Sequence, residues 1–209
     1  MKQIFQNISN GESYIEDIPL PIVKKGEILI STTYSVISPG TEKSLINFSK
    51  SSFISKAIQQ PDKVKEVIDK AKNDGPFSAM EAVKNRLNKP LALGYSNVGI
   101  VEEVGEGVIK FKKGDRVISN GPHSEYCCIP QNLCAKVPSN VTNEEASFTV
   151  LASIGLQAIR LAKPTFGETF IVSGLGIIGL LTIQLLKANG CKVIGIDINS
   201  DRCRLANEL

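Results

Sequence analysis

The chain has 209 residues, 42% of them hydrophobic, with 24 Lys or Arg against 21 Asp or Glu and a formal net charge of +3. That length suits one large or two small domains, and a charge this mild argues against a nucleic-acid partner. No apolar run reaches the roughly 18–20 residues of a membrane span: the longest, from Ile177 to Leu186, is broken by Gly179, Thr182 and Gln184, and the opening MKQIFQNISNGE lacks the apolar core of a secretory signal.

Up to about residue 42 the pattern predicts short strands. Pro19, Pro21 and the Lys25-Gly26 turn separate the first ones from ILISTTYSVI, whose alternation suits a sheet with one wet face. After Ser38-Pro39-Gly40 the period becomes helical. PDKVKEVIDKAKNDG places Val64, Val67, Ile68 and Ala71 on one helical face, with Pro61 near its start and Gly75 just past its end. A second helix is expected from Ser78, which forms an S-x-x-E capping box with Glu81 and turns Val83 and Leu87 inward. Residues 43–90 therefore read as a helical insertion, and they hold ten Lys or Arg against five Asp or Glu. A solvated helical surface accounts for that excess, and attraction of an anionic substrate is the sharper alternative.

Strand character returns in LGYSNVGIVEEVG, residues 93–105, where Val98, Ile100 and Val104 alternate with Glu102. The pair Tyr95-Ser96 at its start falls outside that alternation. RVIS, after the turn Lys113-Gly114-Asp115, and SEYCCIP add strands, so a compact β-barrel-like unit is expected. His123, in the turn Gly121-Pro122-His123, reads as an exposed loop residue, and as the single histidine it excludes a histidine-rich metal site. Cysteines at 127, 128, 134, 191 and 203 contain no C-x-x-C pair and read as free thiols of a reducing cytoplasm.

Thr142 and Glu145 form a further capping box, which opens a helix to about Leu161 that Lys163-Pro164 stops. TFIVS, GLGIIG, LLTIQLLKAN and KVIGID then spell strand, glycine turn, helix and strand, which makes the class α/β. Gly174, Gly176 and Gly179 fit G-x-G-x-x-G directly after a strand and at the opening of a helix, with Leu175, Ile177 and Ile178 between them. The first glycine makes the tight turn, the second admits a pyrophosphate to the backbone, and the third packs helix on strand. Asp197, followed by Ile198, ends the second strand, where a carboxylate accepts ribose hydroxyls and repels a 2′-phosphate. NAD(H) is the expected cofactor, and a ligand-free glycine turn is the bland alternative. A sheet of this kind usually has about six strands. Only two are visible before Leu209, so the chain is expected to be a fragment, inactive alone, of a longer protein.

GEILISTTYSVISPGTE, GYSNVGIVEEVGEGVIKFKKGDRV, EYCCIPQNLCAKVP and the βαβ segment together resemble the medium-chain dehydrogenase/reductase superfamily of zinc alcohol dehydrogenase type. The resemblance implies a groES-like catalytic-type domain over residues 1–140, interrupted by the helical insertion 43–90, and the start of a Rossmann domain over 141–209. Substrate is expected in the cleft between them. Zinc-dependent members carry C-G-T-D where this chain has Pro39-Gly40-Thr41-Glu42, G-H-E where it has Gly94-Tyr95-Ser96, and a third thiolate where it has Val150. Catalytic zinc is therefore not expected. Zinc-free branches of the superfamily pass hydride between a nicotinamide and a conjugated acceptor, with hydroxyl donors stabilising the developing enolate. On that pattern Thr41 matches the family's relay hydroxyl and Tyr95 projects from the place of a lost ligand. Both are catalytic candidates, with turn and packing roles open beside them. Glu42 reads as a surface or hinge carboxylate.

TEKSLINFSKSSFISKAIQQPDKVKEVIDKAKNDG, PLALGYSNVG and NGPHSEY are similar to bacterial two-domain oxidoreductases associated with cell-surface polysaccharide synthesis. In that group a dehydrogenase-like half precedes a glucose-fructose-oxidoreductase-like half. The resemblance implies a small-molecule substrate of sugar or nucleotide-sugar type and a homo-oligomer in the full-length form. Two alternatives stand beside a zinc-free NAD(H) oxidoreductase. One is a nucleotide-binding module without catalysis, and the other is a zinc-dependent alcohol or polyol dehydrogenase, which the ligand positions oppose.

Overall fold

The computed structural model describes residues 1–209 apart from 52–54, 56, 57, 59, 60 and 88. β1 (Lys2–Gln6) and β2 (Ser13–Asp17) form an antiparallel hairpin, and β4 (Leu91–Ala92) pairs with the free edge of β1. β3 (Glu27–Ser35), β5 (Asn97–Val104), β6 (Arg116–Ser119), β7 (Tyr126–Pro130) and β8 (Cys134–Lys136) make a second antiparallel sheet in the order β7-β3-β5-β6-β8. A bridge between Gln3 and Ser124 joins the two sheets, which together take the place of the expected barrel-like unit.

The alternation read in ILISTTYSVI sets the face of β3. Ile28 and Ile30 are fully buried while Leu29 and Ser31, which alternate with them, are not. They meet Val101, Phe111, Val117, Cys127 and Ile129 in one core cluster, where each buried Ile, Val or Phe contributes about 1.5–3 kcal/mol. A neighbouring cluster of Val98, Ile118 and Ala146, with Val150 packed against it, ties this sheet to the helices that follow.

Helices α1 (Pro39–Lys50), α2 (Pro61–Asp74) and α3 (Pro76–Leu87) lie between β3 and β4. The helical segment thus starts at Pro39 rather than at 43: Pro39 occupies the first helical position, where a missing N–H costs nothing. The same chemistry corrects the start of α3. Gly75 takes a positive φ of 90° after α2, and Pro76 opens α3, leaving Ser78 inside the helix instead of capping it. α2 and α3 pack on each other as a hairpin. Val64, Val67 and Ala71 are half-buried there, whereas Ile68 is mainly exposed for a core residue. The side chains of Lys63 and Leu87 lie outside the described residues.

The box at Thr142 forms in both halves, with Glu145 N–H donating to the Thr142 hydroxyl and Thr142 N–H donating to the Glu145 carboxylate. It opens α4 (Asn143–Ser147). The one long helix expected here is interrupted at Phe148, and α5 (Thr149–Ala162) continues to Lys163, which turns left-handed at φ 50°. β9 (Thr169–Ser173), α6 (Ile177–Ala188), β10 (Lys192–Ile196) and α7 (Ser200–Glu208) complete the described chain, with β9 and β10 parallel. Phe170, Val172 and Val193 pack under α5 and α6 against Ile159, Leu186 and Cys191. Ile171, Ile194 and Ile196, on the other face of the strands, are more than half exposed. The arrangement is an antiparallel β unit with a helical insertion, followed by a parallel βαβα unit. Among the described residues no helix is long and apolar enough to cross a membrane.

Candidate functional site

Thr41 and Tyr95, 54 residues apart in sequence, meet through their hydroxyls. Thr41 sits in the first turn of α1, Tyr95 in the bend before β5, and Thr41 Oγ1 lies 3.3 Å from Tyr95 Oη. Thr41 is exposed and Tyr95 half-buried, so the pair opens to solvent on one side. Each hydroxyl has one donor proton, so within this contact one donates to the other, whose own O–H is left to donate to an oxygen that gains charge. Ser96 points the other way: it is 1% exposed and its hydroxyl donates to Ser147 O over 2.6 Å, pinning the end of α4 to the start of β5.

Behind that pair lies a buried cluster that corrects two expectations. His123 is not an exposed loop residue but 6% exposed, and Glu42 is not a surface carboxylate but 6% exposed. Glu42 folds back over the N-terminus of α1, where its Oε1 accepts from Ser38 N–H at 2.8 Å. His123 Nε2 stands 3.3 and 3.2 Å from the two Glu42 oxygens, and its Nδ1 is 2.8 Å from Ser35 Oγ. Burial of a carboxylate is costly unless donors surround it, and here the helix N-terminus, the Ser38 amide and the imidazole supply them. Ser35 is the member that sequence pattern gave no reason to include. The partners come from β3, α1 and the loop before β7, and no local signal links them.

The second site is the turn from β9 to α6. Gly174 has a φ of 91°, and a Cβ on Gly179 would collide with Gly174 O, so the helix reaches the strand only because residue 179 has no side chain. A Cβ on Gly176 would meet no atom within 4 Å. Gly176 is the N-cap of α6 and no side chain caps that helix, so first-turn N–H groups face open space, as a phosphate cradle requires. Leu175 is buried behind the turn, and Ile177 and Ile178 begin the helix. Asp197 follows β10. Its Oδ1 accepts from Asn199 N–H at 2.8 Å and its Oδ2 from Leu175 N–H at 2.7 Å, with Arg202 Nη1 at 3.5 Å. The Asn199 and Leu175 amides, then Arg202, hold its carboxyl below the ordinary range. Ile198 beside it is fully exposed. The turn therefore fits a dinucleotide, with Asp197 locked to its backbone, and Arg202 is the residue that pattern reading omitted.

Pro39, Tyr95 and Val150, set at metal-ligand positions by the sequence resemblance, do not make a ligand set. Pro39 starts a helix and has no donor atom, Val150 packs against an apolar cluster, and the Tyr95 hydroxyl meets Thr41. The cysteines are no substitute. All five are unpaired, and burial pushes the Cys127 thiol up to about 11 and the Cys134 thiol up to about 12. Iodoacetamide at pH 8 is accordingly expected to leave Cys127 and Cys134 unmodified in the folded chain and to modify both in denaturant, as read by peptide mass spectrometry.

The family profile "Alcohol dehydrogenase GroES-like domain" matches residues 72–158. Human (Homo sapiens) sorbitol dehydrogenase is 31% identical over 155 residues, which cover 59% of this chain and 43% of that protein. Among solved structures, galactitol-1-phosphate dehydrogenase from Escherichia coli superposes with a TM-score of 0.75 at 20% identity, covering all of this chain and 59% of its own. A mycobacterial protein complexed with NADPH gives 0.69 at 24%, covering all of this chain and 56% of its own. At such identity these structures speak to fold. The chain spans under half the length of the curated relatives it matches. The GroES-like match over residues 72–158, the dehydrogenase relatives and the shared fold together support the medium-chain dehydrogenase/reductase superfamily for this chain.

Proposed function

We propose that the chain supplies the substrate-side and nucleotide-side halves of an NAD(H)-dependent, zinc-independent oxidoreductase. On this reading residues 1–140 form the catalytic-type domain, and 141–209 belong to the nucleotide domain. The observation that carries it is the contact between the Thr41 and Tyr95 hydroxyls, in a chain that also has an uncapped glycine turn.

A bound nicotinamide would supply or accept the hydride. The residues of this chain do the rest. The α6 N-terminus and the Gly174–Gly179 turn receive the pyrophosphate, and Asp197 accepts the ribose hydroxyls. In the reducing direction one hydroxyl of the Thr41–Tyr95 contact donates to the other, which donates its own proton to the acceptor's oxygen as hydride reaches its carbon or conjugated partner. One of their hydroxyl protons passes to that oxygen and is replaced from water, so the two electrons and the proton balance. Small carbonyl, enoyl or sugar-type acceptors all present such an oxygen. The sugar and nucleotide-sugar class is supported by the polyol relatives and by the basic insertion. Unpaired thiols suit the reducing cytoplasm.

NADH deuterated on one face of C4 tests the reading. Stereospecific deuterium transfer to p-benzoquinone or to a keto-sugar supports it. The test is run on the full-length protein: tight NADH binding with no transfer to any acceptor makes it a nucleotide-binding module instead, and one equivalent of tightly bound zinc would overturn zinc independence.

Cofactor choice has its own test. Asp197→Ser is expected to weaken NADH and strengthen NADPH binding, each by roughly tenfold, because a negative charge that repels a 2′-phosphate is removed and Arg202 is released from it. Titration by nucleotide fluorescence reads both. Since the folded carboxyl lies below its ordinary value, its ionised form persists as pH falls through the usual carboxylate range. The preference for NADH should likewise persist there and fade only at lower pH. The contribution of these hydrogen bonds to stability has the same sign: it is present above the unfolded value and is lost as pH falls through the folded one.

A further inference from the structure

We infer that Glu42 and His123 are positioning residues that hold the Thr41 and Tyr95 hydroxyls together. Each is one covalent step from a hydroxyl or packs on that step. Glu42 follows Thr41 in the first turn of α1, and its side chain fixes that turn by accepting from Ser38 N–H. His123 controls the Tyr95 side. Its backbone N–H donates to Leu93 O at 2.7 Å, and its ring lies so close to Gly94 that a Cβ there would stand 2.6–2.7 Å from His123 N, Cγ and Cδ2. Gly94, at φ 89°, is thus the residue that lets the chain fold over the imidazole before presenting Tyr95.

The contact between Glu42 and His123 Nε2 closes the ring. α1 and the 93–95 segment, which belong to distant parts of the sequence, are thus joined through His123 by a buried hydrogen-bond contact beside the exposed hydroxyl contact. Ser35 Oγ meets the imidazole at Nδ1, and the bond from Ile4 N–H to His123 O holds the residue's backbone. A pair so placed determines whether two hydroxyls at the limit of hydrogen-bond distance stay in contact or drift apart. The alternative source of that geometry is ordinary apolar packing of α1 against the sheet.

The functional meaning rests on the proposed role of Thr41 and Tyr95, but the test does not. Carbon-13 at Cζ of tyrosine reports the hydrogen bonding of each of the four tyrosines, and Tyr95→Phe identifies the Tyr95 signal. Thr41→Val gives its position when the Thr41 contact is lost. His123→Phe is expected to move the Tyr95 signal to the Thr41→Val position, with no further movement in the Thr41→Val/His123→Phe double variant. His123→Gln, whose amide can still donate to Glu42, is expected to restore it.

If His123→Phe does not fold, Glu42→Leu/His123→Phe decides. It removes both polar partners and leaves neither of them buried alone. A Tyr95 signal that stays at its wild-type position in that folded double variant would overturn the inference, because packing alone would then hold the pair. Unmoved Tyr14, Tyr34 and Tyr126 signals establish that the fold is kept. Turnover of NADH with p-benzoquinone is read separately in the full-length protein: a fall in kcat of roughly tenfold or more with KM for NADH unchanged is expected. If Thr41→Val and Tyr95→Phe themselves leave turnover intact, the proposed function fails while the signal shifts still decide the positioning role.

Discussion

In the full-length protein Tyr95→Phe and Thr41→Val are each expected to slow hydride transfer by about 10²-fold, the usual cost of losing one donor to a developing oxyanion. Single-turnover loss of NADH absorbance in the presence of a quinone measures this without contribution from product release. The two hydroxyls are 3.3 Å apart, so they act as one unit. The double variant should consequently be little slower than the worse single one, since removing either partner already breaks the shared contact. Losses that multiply would mean that the hydroxyls act on different atoms. No loss in either variant would remove the pair from the chemistry. NADH affinity is expected to change less than twofold in all three, because the glycine turn and Asp197 belong to other elements.

How far these sites could be read from sequence depended on the distance over which each is built. The βαβ unit was legible because everything it needs is local: an apolar strand, a glycine turn, a helix that packs on that strand, and an acid at the next strand's end. Thr142 and Glu145 were legible for the same reason, as three residues span the whole capping box. Ser78 shows where local chemistry competes with itself. It has the spacing of a capping residue, but Gly75 and Pro76 just before it fix the turn first.

His123 and Glu42 fail for a different reason. They are 81 residues apart, each sits in a stretch of turn-forming residues, and only the meeting of α1 with the loop before β7 excludes water from them. A glycine, a proline and a histidine in a row predict exposure unless the sheet partner is known. Thr41 and Tyr95 were reached only through the resemblance, which marked their positions. The pattern around them carries no sign that their hydroxyls touch.

The glycine turn yields the sharpest separation of ligand from scaffold, because its second and third glycines face different things. Gly179→Val is expected to destabilise the chain by about 2–3 kcal/mol and to abolish NADH binding, since the new side chain meets Gly174 O and must push α6 off β9. Gly176→Val should leave thermal stability within about 0.5 kcal/mol of wild type, because its side chain enters space that holds no protein atom. NADH binding should nevertheless fall by about 10²-fold or more, as the added atoms occupy the approach to the helix N-terminus that the pyrophosphate requires. Thermal melting with and without NADH reads both effects in one experiment: Gly179→Val lowers the melting temperature of the free chain, and Gly176→Val removes only the increase that the nucleotide brings. If Gly176→Val bound NADH as tightly as wild type, the open space beside Gly176 would not be the phosphate site. Asp197 would then serve its own two backbone amides and no ribose, and the case for a nicotinamide cofactor would rest on the likeness to dehydrogenases alone.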